Sequence, residues 1–155
     1  MPQPSLLYLD ARNIEHVPLI VNGLNMGNNW DSEELAADYL ETGICNLRRW
    51  SAEVVLLQGS EEPLAMAAWR AITNPELIGF AGIAYVHTTK EHRKQGYGAI
   101  VVHAAEDRAR EQGFQHVGLS SVKSAIRFYE AIGYRSSNDE TRGNGYPWMT
   151  KDLTS

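Results

Sequence analysis

The chain is 155 residues long, 43% hydrophobic and 21% charged, with 14 Lys+Arg against 19 Asp+Glu for a net charge of −5. A chain of that length buries enough surface for one core without staples, and its composition excludes a disordered tail or low-complexity spacer. An acidic balance with no basic run speaks against nucleic acid, or any polyphosphate held by bulk electrostatics, as the partner. The single Cys45 excludes an internal disulfide and a cysteine-based zinc site, and no metal is expected. The longest apolar stretch, residues 64–69, falls far short of the roughly 20 residues of a membrane helix. Residues 1–5 show no basic segment with an apolar run after it. The expectation is therefore a cytoplasmic protein with no membrane partner.

In chain order, residues 6–10 are a short apolar run that reads as a first strand and turn. Ile14, Val17, Ile20 and Val21 recur at helical spacing up to a breaker cluster over residues 22–29. Asp31 or Ser32 is expected to cap a second helix, with Glu33 and Glu34 in its first turn, running to about Glu41 with Gly43 as its stop. Residues 53–58, 64–72 and 77–87 are three apolar, β-rich runs joined by short turns, an antiparallel meander. Residues 99–112 read as one helix stopped by Gly113. Residues 114–120 are a strand, 124–132 a short helix ended by Gly133, and 147–153 a final strand. Strands grouped before and between helices give an α+β chain: a three-layer domain with a mixed, mostly antiparallel sheet of about six or seven strands flanked by about four helices.

Chemistry concentrates between the third run and the long helix, in Arg93-Lys94-Gln95-Gly96-Tyr97-Gly98-Ala99. Gly96 and Gly98 let the backbone approach a ligand and leave successive N–H groups free, and the helix that follows aims its positive end at the same place. A pyrophosphate fits such a loop. The dinucleotide fingerprint fails, because its third glycine position is Val101, and the Gly-Lys-Ser/Thr of a P-loop is absent.

About 25 residues on comes Ser124-Ala125-Ile126-Arg127-Phe128-Tyr129-Glu130-Ala131-Ile132-Gly133-Tyr134. Together the two segments resemble the GNAT N-acetyltransferase superfamily. Its Arg/Gln-x-x-Gly-x-Gly/Ala loop matches residues 93–98, its Ala-Ile-x-Phe-Tyr-Glu-x-x-Gly-Phe/Tyr stretch matches residues 125–134, and its closing Met-x-Lys-x-Leu strand matches Met149 to Leu153. The likeness runs from about Glu53 to the end. It implies one acetyltransferase domain over residues 1–155, with a variable substrate-side part over 1–50 and a core over 51–155 that carries the acetyl-CoA loop.

The resemblance implies an acetyl-CoA-dependent N-acyltransferase, with acetyl-CoA as co-substrate and an amine acceptor that is a small molecule or a protein amine. It places the pantetheine arm at a splayed strand end mapping to Val86, His87 and Thr88. Arg93, Lys94, Gln95, Gly96, Tyr97, Gly98 and Ala99 are placed at the pyrophosphate. Tyr129 falls on the family's general acid near the thioester sulfur. Two departures stand out. The family's Asn is Val122 here, flanked by Ser121 and Ser124, the latter counted with the cofactor-binding residues. No acid follows Glu76 on the strand before the loop, where the family often carries a base. His87 lies on that strand and is the candidate base, an imidazole of ordinary pKa about 6.5 being suited to the task; His116 lies on the next strand. The alternative from a different class is a catalytically reduced CoA-binding sensor or interaction module. Glu33, Glu34, Asp38 and Glu41 place carboxylates along one helix, near where the family's layout puts the acceptor, and favour a cationic amine. The acceptor's identity and the oligomeric state, a homodimer included, are left open.

Overall fold

A computed structural model of the chain describes residues 3–27, 30–89, 95–141 and 146–154. Seven strands form one open sheet in the order β1-β2-β3-β4-β5-β7-β6. These are β1 (Ser5–Leu9), β2 (Glu53–Gln58), β3 (Pro63–Ala71), β4 (Phe80–Thr88), β5 (His116–Ser120), β6 (Arg135–Thr141) and β7 (Pro147–Asp152). Neighbours are antiparallel except β4 and β5, which are parallel and joined through a helix. Helices α1 (Val17–Leu24) and α2 (Trp30–Thr42) precede β2; α3 (Tyr97–Glu111) links β4 to β5, and α4 (Ile126–Ala131) follows β5.

Two cores explain the layers. Along β2, Val54 and Leu56 pack with Ile20 and Leu24 of α1, whereas Val55 and Leu57 pack with Val101 and Ala105 of α3. Both faces of this strand are covered, so its residues form an unbroken apolar run instead of alternating.

The expected mixed, mostly antiparallel α+β sheet with four helices is what the chain forms. Four local readings change. The second helix starts at Trp30, so Asp31 and Ser32 lie in its first turn and do not cap it. The third starts at Tyr97, two residues early, after Gly96 turns the backbone into the left-handed region at φ +83°. Residues 75–77 form a 3₁₀ turn, with the Asn74 side chain accepting from the Glu76 N–H, so the strand begins only at Phe80. Strand β6 has no counterpart among the expected elements. Its sequence, RSSNDET, is polar, as suits a strand at the sheet's edge, and carries no apolar alternation for a sequence reading to find.

Two irregularities of β4 position the site. Its pairing with β5 covers Phe80 to Gly82 only, although both strands run further, so they part beyond Gly82 and Gly118. Against β3, Ala84 faces Ala68 and His87 faces Met66. Tyr85 and Val86 thus oppose the single Ala67 in a β-bulge, with Tyr85 at φ +54°, a conformation non-glycine residues seldom adopt.

Candidate active site

Where β4 leaves β5, a cleft of about 600 Å³ opens, walled by the end of β4, the start of α3 and the start of α4. Eight of the expected site residues line it: Val86, His87, Thr88, Gly96, Tyr97, Gly98, Ser124 and Tyr129. Ala99 lies in the first turn of α3, and Gln95 just before the helix, beside the cleft but not on its wall. Arg93 and Lys94 lie outside the described residues. Sequence reasoning missed Met26 and Gly27, which close the cleft from the end of α1. Nothing local in their sequence signals it, since only the folded sheet brings them to His87.

The Gly96 turn starts α3 at the cleft, which Gly96, Tyr97 and Gly98 line. Fifteen residues of aligned peptide dipoles stand behind that end, which favours an anion there without a basic side chain.

Tyr129 is buried, with its ring edge-on to Phe128 at 4.9 Å and to Tyr134 at 5.6 Å between centroids. Burial pushes its pKa up to about 12, because the phenolate would lose its hydration. The hydroxyl therefore keeps its proton throughout the physiological range and is a donor.

His87 behaves oppositely. Burial pulls its pKa down to about 4, against a smaller upward pull from a backbone hydrogen bond to Val86. The ring is neutral near pH 7. Its Nε2 lies 2.7 Å from the Oγ of Ser32, a fully buried side chain of α2. The ring also rests on Gly27 so closely that a Cβ there would come within 2.5 Å of Nε2. Only glycine fits beneath it. His87 thereby ties α1 and α2 to the bulged strand.

The other residues singled out from the sequence lie elsewhere. His116 stacks on Phe80 at 4.9 Å, at the far end of β5. His103 is half-exposed on α3 and bonds Glu106. Cys45 is buried, and burial pushes its thiol pKa up, which disfavours a nucleophilic thiolate. On α2, Glu33, Glu34 and Glu41 are exposed and Asp38 is half-buried. Burial raises the Tyr85 phenol first, and the charges of Asp31, Cys45 and Glu34 add to it. Asp31 and Glu34 are thus described acids whose charge reaches the Tyr85 phenol.

Comparison with known proteins is consistent across sequence and fold. The family model described as the acetyltransferase (GNAT) family matches residues 23–134. The N-acetyltransferase YjcF of Bacillus subtilis, itself uncharacterized, is 30% identical over 95 residues, 61% of this chain and 64% of that protein. Two further Bacillus subtilis proteins align over 53% and 45% of their own lengths, so the chain spans about half the length of the curated relatives it matches first. Among solved structures, the Escherichia coli GNAT family N-acetyltransferase YhbS in complex with CoA superposes with a TM-score of 0.69 at 16% identity, covering 99% of this chain and 83% of that one. The ribosomal-protein-S18-alanine N-acetyltransferase of Escherichia coli gives 0.66 at 14% identity, covering 99% and 96%. These structural likenesses are likenesses of fold.

Proposed function

We propose that this chain, which belongs to the acetyltransferase (GNAT) family, moves an acetyl group from acetyl-CoA to a primary amine by direct attack with both substrates bound. The observation that carries this reading is the cleft itself. The parting of β4 and β5, the Gly96–Gly98 helix start and the Tyr129 hydroxyl-bearing ring all border one space. Residues 1–155 act as one acetyltransferase unit, the first 50 on the acceptor side.

The residues present suit acetyl-CoA. Backbone amides of residues 95–99 and the positive end of α3 hold the pyrophosphate, joined by the cationic Arg93 and Lys94. Val86, His87 and Thr88, on the stretch of β4 that β5 no longer pairs, offer backbone groups to the pantetheine arm, beside Ser124. Bound acetyl-CoA supplies an activated acyl group. The bulge at Tyr85–Val86 turns a backbone N–H out of the ladder toward the acyl oxygen, where charge develops. Tyr129 donates its hydroxyl proton toward the departing sulfur.

His87 is neutral, as a base must be, but a ring pushed to about 4 holds a proton weakly and its Nε2 already meets Ser32. We therefore assign His87 to holding the acceptor-side helices in place. The amine binds as its free base and sheds its proton to water after attack.

Two measurements test the reading. Calorimetry should show saturable CoA binding, and thiol release from acetyl-CoA should depend on added amine. Absence of CoA binding overturns it. A second reading, a CoA-binding module with reduced catalysis, is favoured by one observation: no carboxylate lines the described wall of the cleft. Saturable CoA binding with no amine-dependent thiol release across a broad amine panel would select that reading.

A further inference from the structure

Beyond Tyr134, whose ring packs on Tyr129, lies a carboxylate that does not line the cleft and that the proposed chemistry does not use. Glu106 of α3 is 2% exposed, yet both of its oxygens are occupied. The Tyr134 hydroxyl donates to Oε2 at 2.7 Å, Lys151 Nζ donates to Oε1 at 2.9 Å, and His103 Nδ1 lies 3.1 Å from Oε1. The Lys151 ammonium also lies 5.7 Å from the centre of the Tyr134 ring. Tyr134 in turn grips Tyr129 twice: its ring packs edge-on against the Tyr129 ring, and its backbone N–H donates to the Tyr129 carbonyl at 3.0 Å.

We infer that Glu106 and Tyr134 are positioning residues for Tyr129, fixing the donor ring to α3 and to β7 through one hydrogen-bonded knot. A buried ion cluster is a weak source of stability, since an apolar replacement of the same shape is often as stable. What it does enforce is geometry, because the Tyr134 hydroxyl has one short acceptor and Glu106 can serve it from one place only. The knot sits on the same helix whose start faces the cleft, so the donor and the proposed pyrophosphate site share one rigid body.

The kinetic arm rests on the acetyltransfer reading; a spectroscopic arm does not. In thiol-release assays with acetyl-CoA and ethylenediamine, Tyr134→Phe should lower kcat on the order of tenfold, a fraction of the roughly hundredfold that a 1 Å misplacement can cost. CoA affinity by calorimetry should be unchanged. In the Tyr129→Phe background the same substitution should cost nothing more, because there is no hydroxyl left to aim. Glu106→Gln still offers the Tyr134 hydroxyl a partner, its amide oxygen or, with the amide turned over, its NH2 group, at the expense of the Lys151 and His103 contacts. It should retain more of kcat than Glu106→Leu, which should reproduce Tyr134→Phe. Independently of turnover, NMR of ring-labelled tyrosine should show the Tyr129 signal, identified by its loss in Tyr129→Phe, broadened in Tyr134→Phe and in Glu106→Leu but sharp in Glu106→Gln. Additive losses in the double variant, a parallel fall in kcat and CoA affinity, or an unmoved Tyr129 signal would overturn the inference. A wild-type protein without amine-dependent turnover would overturn the acetyltransfer reading alone, and the NMR arm would still decide this one.

Discussion

The two faces of the sheet are held by different kinds of contact. On the α3–α4 side, Tyr129, Tyr134 and Glu106 are all buried, and the Glu106 carboxylate has donors on both oxygens. On the α1–α2 side, a half-buried row runs from the cleft outward. His87 is edge-on to Tyr85 at 6.5 Å, Tyr85 edge-on to Trp50 at 5.7 Å, and the Arg70 guanidinium lies 4.9 Å from the centre of the Trp50 ring. Among the described residues the buried Nε of Arg70 has no hydrogen-bond partner. Around Tyr129 the described polar group, Glu106, is met on both oxygens, whereas the row from His87 to Arg70 keeps half-buried aromatic and charged groups. A rigid wall suits a ligand and donor whose geometry must not vary, and an adaptable one suits recognition of an acceptor.

The sharpest way to break this contrast is Tyr129→Phe. The ring and its packing stay, so the melting temperature should hardly move. A general acid contributes about 10²–10⁴-fold, and a phenol raised to about 12 belongs at the low end, so kcat should fall about 10²-fold, roughly 2.7 kcal/mol. CoA affinity should hold. A loss of less than about threefold with unchanged melting would remove the donor role.

On the opposite face the test is pH. His87 titrates near 6.5 when unfolded and near 4 in the fold. Between these values the unfolded chain binds the extra proton, so this stability is complete above pH 6.5 and is lost as pH falls toward 4. The loss should be about 2 kcal/mol at pH 5. His87→Gln removes that term, so its melting temperature should drop less than the wild type's between pH 7 and pH 5, by about 2–4 °C per kcal/mol for a chain of this size. Equal drops would mean that the imidazole is not sealed by Ser32 and Gly27. The pH profile of kcat/KM should likewise show no step near 6.5 and should rise with the free-base fraction of the amine.

Legibility in the sequence followed the same division. The glycine loop and the 125–134 stretch are local patterns, and their Gly96, Tyr97, Gly98 and Tyr129 line one cleft. The bulge at Tyr85–Val86 escaped, because it exists only in the register of β4 against β3, which no single run of residues encodes. Met26 and Gly27 escaped for a related reason: their part is set by His87, sixty residues away. Ser32 read as a helix cap, since a hydroxyl before an acidic turn has that meaning locally, and its tertiary partner prevailed. No local pattern singles out Glu106 on the helix over residues 99–112. Its burial depends on Tyr134 and Lys151 arriving from two later elements.

A smaller effect is expected at the start of α3. Gly96 sits at φ +83°, and among the described residues other than its chain neighbours no atom lies within 4 Å of a Cβ position, so backbone preference is the obstacle there. A non-glycine residue there costs about 1–2 kcal/mol. Gly96→Asp adds a carboxylate at the proposed pyrophosphate site, and CoA affinity should fall about tenfold or more, since each 1.4 kcal/mol is tenfold. Gly96→Ala should show the backbone part alone. Equal affinity in wild type and both variants would take this loop out of the binding site.

The smallest effect concerns the acceptor wall. Asp31 and Glu34 raise the Tyr85 phenol from α2, so their field reaches the bulge where the acyl carbon is proposed to lie. Glu33, Glu34 and Glu41 are exposed, and exposed charges act weakly, at about 0.2–1 kcal/mol per pair. An amine carrying a second cationic centre should therefore have a lower KM than a neutral amine of equal length by only a few fold, on that scale. The preference should shrink from low salt to 0.5 M, where the Debye length falls well below the roughly 10 Å of 0.1 M. Asp31→Asn with Glu34→Gln should erase it while leaving kcat and CoA affinity alone, because neither side chain lines the cofactor cleft. Retention of the preference in that double variant would take Asp31 and Glu34 out of acceptor recognition.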